Sequence, residues 1–358
     1  MIGSHSNLLL ALVASSCFLS ACGAHRDSPV DAVPAPDAEA GSTRPLVDSD
    51  APSGYPAGPL ADAAPADNPL TEPRAQLGKR LFFDRRLSRT REIACANCHQ
   101  QDHAFSDPAP VSTGVDGLRG SRNAPALVNL AWSESFFWDG RAKTLEQQAG
   151  MPIENPVEMD LKLSEAVVRL NEDPAYTLSF LDAFGEGPSE GTLRKALASF
   201  IRTLVSGTSR YDRYLAGRLD ALEAAEKRGE EIFFGERGGC FHCHPPGALS
   251  NDGFFNDGSF VEGGDRGRAE LTGRTGDLGK FKVPTLRNVA ESAPYMHDGS
   301  LQTLEDVVAQ YDQGGRGHPS TDPQIAPLGL SPTERADLVS FLRALSDEMF
   351  LTDPRFRP

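Results

Sequence analysis

The chain has 358 residues, with 35 Lys+Arg against 50 Asp+Glu, a formal net charge of −15 and a hydrophobic fraction of 39%. Such a length suits two domains, each able to bury its own core. The acidic balance excludes nucleic acid as a partner, because phosphate binding needs a basic face, and the one long apolar run, Leu8 to Ala21, is too short to span a bilayer.

That run lies in a leader, residues 1–22, which carries no Asp, Glu, Lys or Arg and ends in Leu19-Ser20-Ala21-Cys22. It resembles a bacterial lipoprotein signal, in which Cys22 is acylated and becomes the mature N-terminus. An ordinary secretory signal with incidental cysteines is the alternative, and either reading exports the chain. From Gly23 to Leu70 follow nine prolines, eight acidic residues and two arginines, with Tyr55 as the only aromatic. The composition predicts a flexible, disordered tether over 23–70, too poor in apolar surface to offset its ordering entropy.

Six cysteines suggest three disulfides until their positions are read. Cys17 and Cys22 fall in the leader, and the other four form Cys95-Ala-Asn-Cys98-His99 and Cys240-Phe-His-Cys243-His244. Cys-x-x-Cys-His is the pattern of covalent c-type haem attachment, in which the thiols bond the vinyl groups and the histidine ligates iron. A zinc site built from the same six side chains is the competing reading, but zinc ligands usually come as closer pairs than motifs 145 residues apart. Two haem motifs in an exported protein therefore predict two c-type haems.

The surroundings repeat as well. Gly78-Lys-Arg-Leu-Phe82-Phe83 precedes the first motif and Gly229-Glu-Glu-Ile-Phe233-Phe234 the second. Downstream, Pro125-Ala-Leu127, Asp139-Gly140 and Thr144-Leu145-Glu146 recur as Pro284-Thr-Leu286, Asp298-Gly299 and Thr303-Leu304-Glu305, all offset by 159 residues. A shared offset points to internal duplication. Thr144 and Thr303 are predicted helix caps. Leu193, Ala196, Leu197, Phe200, Ile201 and Leu204 fall at helical spacing, and Ser331-Pro332-Thr-Glu334 opens a further helix. The expected fold is mainly α: two tandem cytochrome c-like haem domains, residues 71–215 and 216–358, related by duplication.

The repeat also separates the two irons. Tyr311, after the helix begun at Thr303, is a candidate axial ligand for the second haem, and the 159-residue offset puts Pro152 at the matching point of the first. Proline offers no donor, so the first iron is expected to be open. Met296 and His297, in the loop before that helix, compete with Tyr311, whose other reading is a buried core tyrosine.

Leu77-Gly-Lys-Arg-Leu-Phe-Phe-Asp84, Arg122-Asn-Ala-Pro125, Phe137-Trp-Asp-Gly-Arg141, the stretch Pro152 to Met159, Phe281-Lys-Val-Pro-Thr-Leu-Arg-Asn288 and the Pro294–Gly299 loop give the chain, from about Leu77 onward, a resemblance to the bacterial di-haem cytochrome c peroxidase and MauG family. The resemblance implies a peroxidatic first haem with His99 as proximal ligand and an electron-transfer second haem held by His244. It implies that Trp138 relays electrons or holes between them, that Gln148, Pro152 and Glu158 form the distal pocket, and that Glu158 is the acid/base with Gln148 as hydrogen-bond donor. Asn123 with the backbone carbonyls of Ser292 and Pro294 matches the family's calcium site, with Ser292 replacing the usual threonine. The chain departs from the classical peroxidases at Ser112-Thr-Gly-Val115, where valine replaces the histidine that closes the resting peroxidatic haem. The first haem is therefore expected to react without reductive activation, and Tyr311 is the MauG-type choice at the second. The run Cys-Phe-His-Cys-His and the tail Ser346–Pro354 also resemble MauG relatives associated with methanobactin operons, which oxidise a tryptophan of a partner protein.

These readings predict a periplasmic, lipid-anchored oxidoreductase. It reacts with hydrogen peroxide at the first haem and passes oxidising equivalents through the second to a partner's aromatic residue or a small cytochrome c. A di-haem electron carrier without chemistry of its own is the rival, and it requires both haems to be six-coordinate.

Overall fold

The computed structural model describes residues 45–358; the leader and Cys22 lie outside the described residues. The described chain is mainly α, with twelve α-helical segments against one antiparallel pair of two-residue strands, Phe254–Phe255 and Phe281–Lys282. No described helix is long and apolar enough to cross a membrane.

Two apolar cores stand within one compact unit. Each is organised by a crossing of two helices, Glu72–Phe82 on Glu190–Arg202 in the first and Ala224–Phe234 on Pro332–Arg343 in the second. The second helix of each pair starts where its local chemistry says it should. Ser189 and Ser331 accept from the amides of Thr192 and Glu334, satisfying first-turn donors, and Pro332 occupies a first-turn position where no amide is needed. Leu193, Ala196, Leu197, Phe200 and Ile201 then bury one helical face.

Glycine makes both crossings close. A Cβ on Gly78 would overlap the Ala196 carbonyl, and one on Gly229 the Asp337 carbonyl. Because the obstacle is helical backbone rather than a movable side chain, Gly78→Ala or Gly229→Ala is expected to lower stability by about 1–3 kcal/mol or more. Denaturant unfolding of each variant against the parent checks this, and an unchanged midpoint would contradict the close crossing.

The duplication is visible in backbone conformation. Asn129 and Asn288 are both left-handed (φ 56° and 59°), as are Phe137 and Met296 (φ 66° and 70°), each pair 159 residues apart. The bridges Phe136–Ala142 and Tyr295–Leu301 match in the same way. Thr144 accepts from the Gln147 amide, and Thr303 from that of Asp306.

Three expectations need correction. The flexible tether expected over 23–70 does not describe residues 45–70: Leu46, Leu60 and Leu70 are buried in the first core, and the Ser49 carbonyl accepts from the Leu60 amide at 2.8 Å. A few well-placed leucines anchor this segment although its composition is that of a solvated chain. The second domain begins before 216, because Tyr211 is packed in the second core. Nor does that domain keep the whole C-terminus, since Phe350 and Phe356 return to the first core, with Gln101 Nε2 donating to the carbonyls of Phe350 (3.0 Å) and Asp353 (2.9 Å).

Candidate functional site

Cys95–Cys98 form a single helical turn, its start fixed by Asn97 Oδ1 accepting from the Ala94 amide at 2.8 Å. The His99 ring follows, with Nδ1 2.7 Å from the Phe105 carbonyl. That carbonyl is aimed by two consecutive left-handed residues, Ala104 and Phe105 (φ 55° and 56°). Desolvation holds His99 below the ordinary imidazole value, so the ring is neutral, with Nδ1–H donating and Nε2 left free as a metal ligand. Burial also pushes the Cys95 thiol up to about 12.

The second motif repeats the arrangement. His244 Nδ1 lies 2.8 Å from the Leu249 carbonyl, and burial takes its pKa down to about 4. Phe233 packs 6.4 Å from the His244 ring, as Phe82 does from His99, centroid to centroid. Among the described residues no three His, Cys, Asp or Glu side chains are grouped to hold a metal ion, so the zinc arrangement is not built.

Cys95, Cys98 and His99 open into a cavity of about 520 Å³, which Trp138, Gln148, Pro152 and Glu158 also line. A haem fits this constellation in volume, in the free Nε2 and in the two thiols, and one buried polar atom there, Gln148 Oε1, has no hydrogen-bond partner. Pro152 sits inside the helix Leu145–Glu154 and lines the cavity with a side chain that carries no donor atom. Burial raises the Glu158 carboxyl above its usual range, while Asn155 and Arg141 oppose the shift; Asn155 Nδ2 donates to Glu158 Oε1 at 2.6 Å.

Two residues here escaped the sequence reasoning. Arg141 lines the cavity, stacks 3.6 Å from the Phe137 centroid and is held by Asp139 at 3.0 Å. Asn155 orients the acid/base candidate; its place inside the Pro152–Met159 stretch is the only signal that marked it.

Val115 is buried, and its amide donates to the Glu158 carbonyl at 2.9 Å. The preceding Gly114 has no room for a Cβ, which would overlap the carbonyls of Val157 and Glu158. Gly114→Ala is therefore expected to displace the Glu158 backbone and lower stability by about 1–3 kcal/mol; an unchanged denaturation midpoint would contradict the contact.

Trp138 sits between the halves. Its indole N–H donates to the Asn123 carbonyl at 2.8 Å, and its carbonyl accepts from the Lys282 amide at 2.7 Å. The Asn123 amide in turn donates to the His297 carbonyl at 2.7 Å, which brings Asn123 against the Pro294–Gly299 loop. Ser292 Oγ donates to the Val289 carbonyl, and Pro294 follows a cis peptide bond.

Tyr311 lies on the helix Leu304–Asp312. Burial raises its hydroxyl well above the ordinary phenol value, reinforced by Asp257 and by the Cys240 and Cys243 thiols. His297 stacks on Phe281 at 3.7 Å and 12°, near Asp298, Asp257 and Asp265, and its buried Nδ1 has no hydrogen-bond partner. Met296 keeps the left-handed backbone of the loop.

Residues 72–220 match the model of the di-haem cytochrome c peroxidase family, and residues 226–346 that of cytochrome c. Over 288 residues the chain is 41% identical to the methylamine utilization protein MauG of Methylorubrum extorquens, covering 79% of this chain and 81% of the relative. The chain belongs to the di-haem cytochrome c peroxidase and MauG family. It is also 35% identical to the cytochrome c551 peroxidase of Pseudomonas aeruginosa over 288 residues, 78% of this chain and 80% of that one. Among solved structures, a MauG-like protein associated with microbial copper homeostasis superposes with a TM-score of 0.78 at 36% identity, covering 82% of this chain and 95% of the other. As a member of this family the chain is an oxidoreductase of two tandem cytochrome c-like domains, each with one c-type haem.

Proposed function

We propose that this family member reacts with hydrogen peroxide at the first site and passes oxidising equivalents through the second to a protein in the periplasm. In this reading Cys95, Cys98 and His99 hold an open haem, and Cys240, Cys243, His244 and Tyr311 a closed one. The observation that carries it is the asymmetry of the duplicated helices, with Pro152 in one and Tyr311 in the other, beside a pocket lined by Gln148 and Glu158. A c-type haem, when bound, supplies an iron that takes up a ligand and changes oxidation state.

The side chains do the rest. Glu158, its carboxyl pKa raised by burial, accepts a proton from one peroxide oxygen and returns it to the other, which leaves as water. Gln148 presents an unpartnered Oε1 that accepts a hydrogen bond from the peroxide and orients it, and Arg141 adds positive charge beside Glu158. Pro152 offers no atom that could ligate an iron held by His99, and Val115 stands where the classical peroxidases carry a closing histidine. Trp138 links the halves through Asn123 and Lys282 as the electron relay. At the second site Tyr311 would ligate the iron as a phenolate only with loss of its phenol proton to the metal; such a hard anionic ligand would favour high oxidation states, which suits oxidation of a partner's aromatic residue better than consumption of electrons from a small cytochrome c.

Calcium belongs to the same proposal, held by Asn123 and the carbonyls of Ser292 and Pro294 at the junction of the two domains. So does attachment to the membrane through a lipid on Cys22. Co-expression with periplasmic proteins followed by mass spectrometry tests the partner: added oxygen on one aromatic residue is expected. Rapid peroxide turnover with ferrocytochrome c and no modified partner would refute the protein-oxidising branch.

A further inference from the structure

Tyr55, from the packed N-terminal segment, stacks on Trp132 with ring centroids 4.5 Å apart at 34°. Both rings line the cavity that holds Cys95, Cys98 and His99. Both are partly buried, so each ring keeps some contact with solvent as well as with the cavity. Its position is fixed: Asn129 Nδ2 donates to the Tyr55 hydroxyl at 3.3 Å, the Asn129 side chain accepts from the Ser206 amide at 2.7 Å, and the Arg287 guanidinium lies 5.8 Å from the Tyr55 centroid. Trp138, in contrast, is tied inward by its indole bond to Asn123.

We propose that Tyr55 and Trp132 are a redox-active pair, which supplies electrons to the first pocket from the protein itself when no partner does so. The proposal rests on the peroxide reading above. Tryptophan and tyrosine are among the most easily oxidised side chains, and here two of them touch one another at the wall of the oxidising site. Hydrogen peroxide takes up two electrons and two protons to give two waters. Each ring gives one electron and one proton, from the Trp132 indole nitrogen and the Tyr55 hydroxyl, so the pair together reduces one peroxide. A one-electron reductant at the exposed edges restores both rings. Without a reductant, the stable product is a hydroxylated ring: one C–H becomes C–OH, the O–O bond of one peroxide breaks and one water leaves, a two-electron oxidation of the ring.

The test uses the full-length holoprotein treated with a few equivalents of hydrogen peroxide and no reductant, then peptide mass mapping and a parallel peroxide assay. One-oxygen adducts are expected at Trp132 and Tyr55 several-fold above those at Met349, which is 70% exposed and is the thioether that free peroxide reaches first. Tyr55→Phe keeps the stacked ring and removes the hydroxyl, so Trp132 loses its reducing neighbour and its adduct is expected to rise. Peroxide consumption with Met349 oxidised first, with Trp138 alone modified, or with the Trp132 adduct unchanged in Tyr55→Phe would overturn the pair and leave the peroxide reading standing. No peroxide consumption would overturn both.

Discussion

Replacing Glu158 with glutamine is expected to slow peroxide consumption by about 10²- to 10⁴-fold, the usual contribution of a positioned acid/base. Haem content should not change, because Cys95, Cys98 and His99 are untouched. The pH profile carries the sharper signature. The working form accepts a proton and so must be ionised, and burial raises the carboxyl pKa. Activity is therefore lost as pH falls through that raised value, and the acid limb lies above the pH at which an ordinary glutamate titrates. Glu158→Gln should abolish this limb as well as lower the plateau. A variant with parental rate and parental acid limb would remove Glu158 from the mechanism.

At the second haem, Tyr311→Phe is expected to convert a six-coordinate iron to a five-coordinate one, read as loss of its low-spin spectrum. Tyr311→Met should restore a sixth ligand of different character. A thioether favours the ferrous state and a phenolate the ferric. The potential of the second haem should then rise by a sizeable part of the roughly 0.8 V that axial ligands span. Potentiometric titration checks the size and sign. A spectrum and potential unchanged in both variants would return the assignment to Met296 or His297.

How far these features could be read in advance follows from how local they are. The haem motifs, the Thr144 and Thr303 caps and the Ser331-Pro332 helix start are contained within a few residues, so their chemistry is legible in the chain. The 159-residue offset extended that legibility to Pro152 against Tyr311, because a duplicated fold carries position with it. What escaped is non-local. Leu46 and Leu60 lie in a segment whose average composition is that of a solvated chain, and their burial depends on residues distant in sequence, with Leu60–Ala63 packing on Leu130–Trp132. Phe350 and Phe356 cross back to the first core for the same reason. Arg141 looks like a turn residue until Phe137 and Asp139 fold it over the pocket. The hold of Phe105 on His99 depends on two left-handed residues that no propensity favours.

Electronic absorption and electron paramagnetic resonance spectra of the resting ferric holoprotein test the central claim most directly, since the two sites are distinguished by what stands opposite each histidine. One high-spin, five-coordinate haem and one low-spin, six-coordinate haem are expected, from Pro152 and Val115 at the first site and Tyr311 at the second. Two low-spin haems would contradict the open first site and leave a di-haem electron carrier in its place.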